Sequence, residues 1–162
     1  RVEGPSDSVD HRIKKLCKEL DVLNNEFSVL DQEQSNIFWE KTRQLQVFSS
    51  LKGSLLRAVV PVSETFEVIQ KLKNYKINYF LDWGGSLIWL QIEEINTKIL
   101  REIKDIIQEA TGYLTVIKIE EDMKATIDIF TVDPIKYKIS EKIKKSFDPK
   151  RILNPGKMYS GI

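Results

Sequence analysis

Arg57 is the charged side chain most out of place in this chain, because it interrupts the apolar run Leu55-Leu56-Arg57-Ala58-Val59-Val60. A guanidinium in such a strand has two readings. It pairs with a carboxylate inside the domain, or it stands at an interface and holds a ligand's carboxylate bidentately. Other chemistry is sparse. The chain has one Cys, Cys17, and one His, His11, six residues apart and therefore on roughly opposite faces of a helix. Cys17 falls on an apolar stripe and reads as a small core residue. There is no His-centred triad, no His-Glu-x-x-His zinc pattern, no P-loop and no Gly-x-Gly-x-x-Gly after a strand. The paired carboxylates Glu93-Glu94 and Glu120-Glu121-Asp122 sit where turns or strand ends are expected, and read as solvated charge. Neither a catalytic group nor a metal site is expected.

The second feature is the tail, Phe147-Asp-Pro-Lys-Arg-Ile-Leu-Asn-Pro-Gly-Lys-Met-Tyr-Ser-Gly-Ile162. Each Pro removes a backbone donor and restricts its predecessor, so the segment reads as a set sequence of turns. The third is Asp82-Trp83-Gly84-Gly85, where Gly-Gly suits a tight hairpin turn and Trp83 is expected to pack on Trp89 or its neighbours.

The elements that must position these groups follow from spacing and punctuation. Arg1–Glu3 reads as the end of a strand, followed by a helix from about Val9 to Leu23, with Val9, Ile13, Leu16, Cys17 and Leu20 at helical spacing. Phe27–Leu30 reads as a short strand. Asp31 caps a helix to about Gln46, with Ile37, Phe38 and Leu45 inward and Trp39 near one edge. Ser54–Val60 alternates as a strand, Ser63 caps a helix to Lys73 with Phe66, Ile69 and Leu72 on one side, and Ile77–Trp83 and Leu87–Ile92 form a hairpin. A helix from Asn96 or Thr97 to Ala110 ends at Gly112, and Tyr113–Ile119 is a strand. Glu120–Val132 fits either an extended excursion or a helical turn. Asp133-Pro134 opens a last helix to Phe147, with Tyr137, Ile139 and Ile143 making its apolar contacts. The fold class is thus α+β: an antiparallel sheet with helices on one face. Residues 54–119 form a ferredoxin-like βαββαβ unit, preceded by a partial β-α-β-α segment.

Composition agrees with a soluble globular domain. Lys+Arg 25 against Asp+Glu 24 gives a net charge of +1, so no global field attracts nucleic acid. Lysines cluster from Lys136 to Lys150, next to Arg151, which reads as a solvated helix face. The lone Cys suits a reducing compartment, and no transmembrane run or signal peptide is evident. The first residues, which lack Met, suggest a cut within a longer chain.

The tail resembles the closing motif of FAD-linked oxidases of the vanillyl-alcohol oxidase superfamily. The nearest resemblance is to the FAD-binding subunits of bacterial glycolate oxidase. Leu56-Arg57, Pro61, Asp82-Trp83-Gly84-Gly85 and Trp89-Leu90 are similar to that family in the same order. So are Arg1-Val2-Glu3-Gly4 and Val29-Leu30-Asp31…Phe38-Trp39…Arg43. The resemblance implies a substrate-side cap domain, 1–146, and a tail, 147–162, that returns to an FAD-binding domain of the same polypeptide. It implies FAD as cofactor for the longer protein, a small 2-hydroxy acid as substrate, and other glycolate oxidase subunits as partners. It also implies a cytoplasmic location, peripheral to the inner membrane through those subunits. Arg57 becomes the candidate for the substrate carboxylate, and Asn154 and Lys157 candidates for contact with the flavin. One departure is that related D-lactate dehydrogenase-type enzymes use His in the cap, and no His cluster occurs here. The implied role is a wall of the substrate cavity, inactive alone; the alternative is a non-catalytic ferredoxin-like binding or assembly module.

Overall fold

The computed structural model describes residues 1–21, 27–124, 126–131, 133–157 and 159. The chain divides into two compact units, residues 1–50 and 51–162.

The first unit holds helices α1 (Ser6–Asp21) and α2 (Gln32–Arg43). Asp31 caps α2 as expected: its side chain accepts from the Gln34 amide while the Gln34 side chain accepts from the Asp31 amide. The two expected strands do not form. Arg1–Glu3 and Phe27–Leu30 are coil, because no described residue pairs with them in the ladder that a strand needs. Leu16, Leu20, Ile37, Phe38 and Trp39 are exposed, correcting the inward placement of Ile37 and Phe38. The expected end of α1 at Leu23 lies outside the described residues.

The second unit is the expected βαββαβ. Strands β1 (Ser54–Val59), β2 (Ile77–Asp82), β3 (Leu87–Ile92) and β4 (Tyr113–Lys118) form one antiparallel sheet in the order β2-β3-β1-β4. Helices α3 (Thr65–Leu72) and α4 (Thr97–Glu109) join its crossovers. Period-two burial sends Leu56 and Ala58 of β1, with Ile88, Leu90 and Leu114, into a core shared with Val68, Ile69 and Leu72 of α3 and Leu100, Ile103 and Ile107 of α4. Phe66 is not among them and stands exposed. A single 3₁₀ turn at Val62–Glu64 delays α3, so Val68 rather than Phe66 meets the sheet, and Ser63 does not cap the helix.

Helix α4 ends in a Schellman motif. Thr111, at φ 54°, takes the left-handed position, its amide donates to Gln108 O, and the Gly112 amide donates to Ile107 O at 2.8 Å. Gly112 is therefore needed for closeness rather than for its dihedral. After β4 the helical-turn reading holds at α5 (Glu121–Lys124), and farther on Phe130 makes an isolated bridge to Thr115 on the β4 edge. Helix α6 (Pro134–Phe147) then starts as expected, with Pro134 in its first turn and the Asp133 carboxylate accepting from the Ile135 and Lys136 amides.

Candidate functional site

Alternation in β1 settles the direction of Arg57. With Leu56 and Ala58 fully buried on the helix side, Arg57 must face the other side, opposite Trp89 of β3 and Thr115 of β4. There its guanidinium carbon lies 5.2 Å from the centroid of the Trp83 ring and 6.0 Å from that of Trp89. Phe80, opposite Trp89 across the hairpin, stacks on it at 6.4 Å. The two indoles thus meet through the arginine instead of packing on each other. Among the described residues Arg57 makes no ion pair and no hydrogen bond, so a carboxylate partner inside the domain is not found. A cation over an aromatic face is attracted by about 0.5–1 kcal/mol at exposed sites, and the arrangement leaves the N–H groups of the guanidinium uncommitted.

The loop that carries Trp83 is longer than a two-residue turn. Asp82 pairs with Leu87, so Trp83, Gly84, Gly85 and Ser86 all lie in the connection. Gly84 and Gly85 have positive φ as expected, but Trp83 does too, at 53°. Its amide donates to Asp82 Oδ1 at 2.7 Å, and the Ser86 hydroxyl donates to its carbonyl at 3.2 Å.

The tail is built around Asp148, the residue before Pro149. Its carboxylate is buried, receives the Lys144 ammonium at 2.7 Å, and accepts from the Ile152 and Leu153 amides at 3.0 and 2.9 Å. Lys144 also donates to the Leu153 carbonyl. The Lys144 hydrogen bond, helped by the two amides against the cost of burial, holds the Asp148 carboxyl down at about 2. This clip sets the turn that presents Asn154, at φ 44°, and Gly156, at φ 67°, with the Lys157 amide donating to Asn154 O at 3.3 Å. Lys157 lines an open cavity of about 210 Å³ with Lys118, Lys124, Val116, Ile127 and Ile129. Among the described residues no hydrogen bond, ion pair or ring contact joins Asn154 or Lys157 to Arg57, so the structure does not bring the three candidates into one contact cluster. Farther on, Tyr159 is buried against Phe130 and Tyr137.

Between those anchors the surface is apolar and open. Ile135, Ile139, Ile143 and Phe147 recur every fourth residue along α6 with 71%, 53%, 54% and 84% of their surface exposed, and Ile152 and Leu153 follow at 72% and 59%. The expectation that Ile139 and Ile143 point inward is therefore corrected: α6 turns this stripe outward, and Lys136 caps the Tyr113 ring at 4.0 Å. In the first unit Cys17 is half-buried rather than the core residue expected, and lines a groove of about 850 Å³ between α1, α2 and the coil at 1–4 and 27–31. No helix of the described residues is long and apolar enough to cross a membrane.

Residues 130–158, which hold α6, the Asp148 clip and the Asn154–Lys157 turn, match the family described as FAD linked oxidases, C-terminal domain. Over its whole length the chain is 28% identical to glycolate oxidase subunit GlcE of Escherichia coli (strain K12), and it spans 39% of that protein's length. Together these two matches support an FAD-linked oxidase C-terminal domain, related to glycolate oxidase.

Proposed function

We propose that this chain is the cap and tail of an FAD-dependent 2-hydroxy-acid oxidoreductase subunit of the glycolate type, with 1–146 as cap and 147–162 as returning tail. It forms one wall of the substrate cavity and is inactive alone. The observation that carries this reading is the Arg57 guanidinium, unpaired among the described residues and set against Trp83 and Trp89, with Phe80 stacked on Trp89, on the sheet face opposite the helices. A small hydroxy acid offers a planar carboxylate that such a group grips with two parallel hydrogen bonds.

The described residues suit one side of a flavin site and not the whole of it. The N-termini of α2, α4 and α6 are already closed by Asp31, Asn96 and Asp133, two of them carboxylates that repel a pyrophosphate. These three closed termini, and a chain that spans 39% of its relative, support a dinucleotide half held by another domain. Asn154 and Lys157 would contact the ring end, Lys157 as a cation and Asn154 through its amide. When bound, FAD supplies the hydride acceptor for the substrate α-carbon. This chain's part is to orient the acid through Arg57 and to exclude water with the surrounding indoles.

The exposed stripe of α6, continued by Ile152 and Leu153, supports the docking of that further domain, since a contiguous apolar strip of this kind marks an interaction surface. Expression of the reading frame with its upstream codons tests the proposal. The expected product is yellow, reduces a dye with glycolate, and shows slowed amide exchange at 152–157 relative to the chain described here. A colourless product with unchanged exchange there would remove the reading in favour of a ferredoxin-like module.

A further inference from the structure

We propose that Trp83 is a positioning residue for the carboxylate ligand, holding the Arg57 guanidinium in place before the ligand arrives. The proposal rests on the assignment of Arg57 to a substrate carboxylate and adds to it a second residue on a different strand connection.

The case begins with backbone conformation. Trp83 sits at φ 53°, a region that a bulky L-residue enters only at a cost, although two glycines stand next to it in the same loop. Glycine would fill position 83 without strain. Packing does not account for the tryptophan either, because 59% of its surface is exposed. What the indole does touch is Arg57, at 5.2 Å, closer than Trp89 at 6.0 Å. The Asp82 carboxylate and the Ser86 hydroxyl grip the Trp83 amide and carbonyl, which keeps the strained residue in this orientation. Strain maintained at an exposed aromatic, against an arginine with no polar partner in the described chain, is the pattern of a prepared site rather than of a fold element.

The physical benefit is preorganisation. An arginine on a free stem loses rotamer freedom when it binds, and that loss weakens the complex. An indole already in contact with the guanidinium removes part of the loss in advance. The guanidinium makes no hydrogen bond among the described residues, so its N–H groups are left for a planar carboxylate.

Glycolate is titrated anaerobically into the longer flavin-containing protein with its flavin already reduced, so that no turnover occurs, as wild type, Trp83→Gly, Trp83→Phe and Arg57→Gln, following the Arg57 Nε–H and the tryptophan indole N–H resonances by NMR. Melting temperatures are measured in parallel. Trp83→Gly is expected to bind glycolate about twofold to fivefold more weakly, the size of one exposed cation–π contact, while melting no lower than wild type because the positive φ suits glycine. Trp83→Phe, which keeps an aromatic face, is expected to stay within about 1.5-fold of wild type. Wild-type affinity in Trp83→Gly, or equal weakness in Trp83→Phe, would overturn the positioning role while leaving Arg57 in place. So would a weakening in Trp83→Gly that tracks a lowered melting temperature, since Trp83 would then serve the hairpin. Unaltered affinity in Arg57→Gln, or no response of the wild type to glycolate, would instead remove the Arg57 assignment on which the proposal rests.

Discussion

Two adjacent substitutions at the α4–β4 junction should move stability in opposite directions. A Cβ placed on Gly112 would lie 2.6 Å from Val60 Cγ1, 2.7 Å from the Val59 carbonyl oxygen and 2.9 Å from that of Ile107. Comfortable carbon contacts lie at about 3.5–4.0 Å, so roughly an ångström of movement is required. Two of the three obstacles are backbone oxygens, one in the last turn of α4 and one at the end of β1, and neither can swing aside. Overpacking of this kind costs about 1–3 kcal/mol, and the backbone obstacles place Gly112→Ala in the upper half of that range. Thr111 presents the reverse case, a β-branched residue at φ 54°. Left-handed backbone costs an L-residue about 1–2 kcal/mol, and glycine's extra unfolded-state freedom returns about 0.5–1 of that, so Thr111→Gly should gain about 0.5–1 kcal/mol. For a chain of this size each kcal/mol moves the midpoint by about 2–4 °C. Thermal and urea unfolding followed by tryptophan fluorescence reads both. Gly112→Ala within about 0.5 kcal/mol of wild type would refute the close approach, and a destabilised Thr111→Gly would refute the Schellman geometry. The junction also matters to the site, because Val59 stands two residues from Arg57 on the same face of β1.

Further outcomes follow from single groups. Ser54 Oγ is buried with no hydrogen-bond partner among the described residues, so Ser54→Ala should leave stability unchanged or raise it by about 1 kcal/mol in urea titration. Asp148 has its folded pKa lowered from 3.8 to about 2, so its contribution is complete above pH 4 and fades as pH falls toward 2. Asp148→Asn should therefore be less stable than wild type at pH 7, with the gap closing below pH 4 in acid titrations followed by circular dichroism. Ile143→Ser combined with Phe147→Ser should leave the melting temperature of this chain within about 2 °C, since both residues are exposed, and should reduce any self-association seen by sedimentation.

Much of the second unit was legible because its signals are local. The alternation of Ser54 to Val59, the Asp133-Pro134 start and the Asn96 cap each report on their own few residues, and the βαββαβ order followed from them. The failures share a cause: they depend on what lies beside a segment rather than within it. Arg1–Glu3 and Phe27–Leu30 have strand-like composition, but a strand exists only with a partner. Ile139 and Ile143 sit at helical spacing, and spacing cannot tell a face turned to this unit's core from one turned away. Phe66 lost its place through one extra 3₁₀ turn before α3. In the candidate site, Arg57 was visible as a charge in an apolar strand, while its contact with Trp83 spans two strands and a loop. Asp148 was read as the residue before a proline; its reach to amides four and five residues ahead depends on the turn that it helps to form.

Anaerobic titration of the longer flavin-containing protein with glycolate, comparing wild type and Arg57→Gln, examines the proposed role of this chain most directly. Bleaching of the flavin absorbance at low glycolate in wild type is expected. In Arg57→Gln the flavin spectrum should remain, but the same bleaching should require at least about tenfold more glycolate, as loss of a charge-assisted bidentate contact implies. Equal glycolate requirements in the two proteins would contradict a substrate wall built around Arg57.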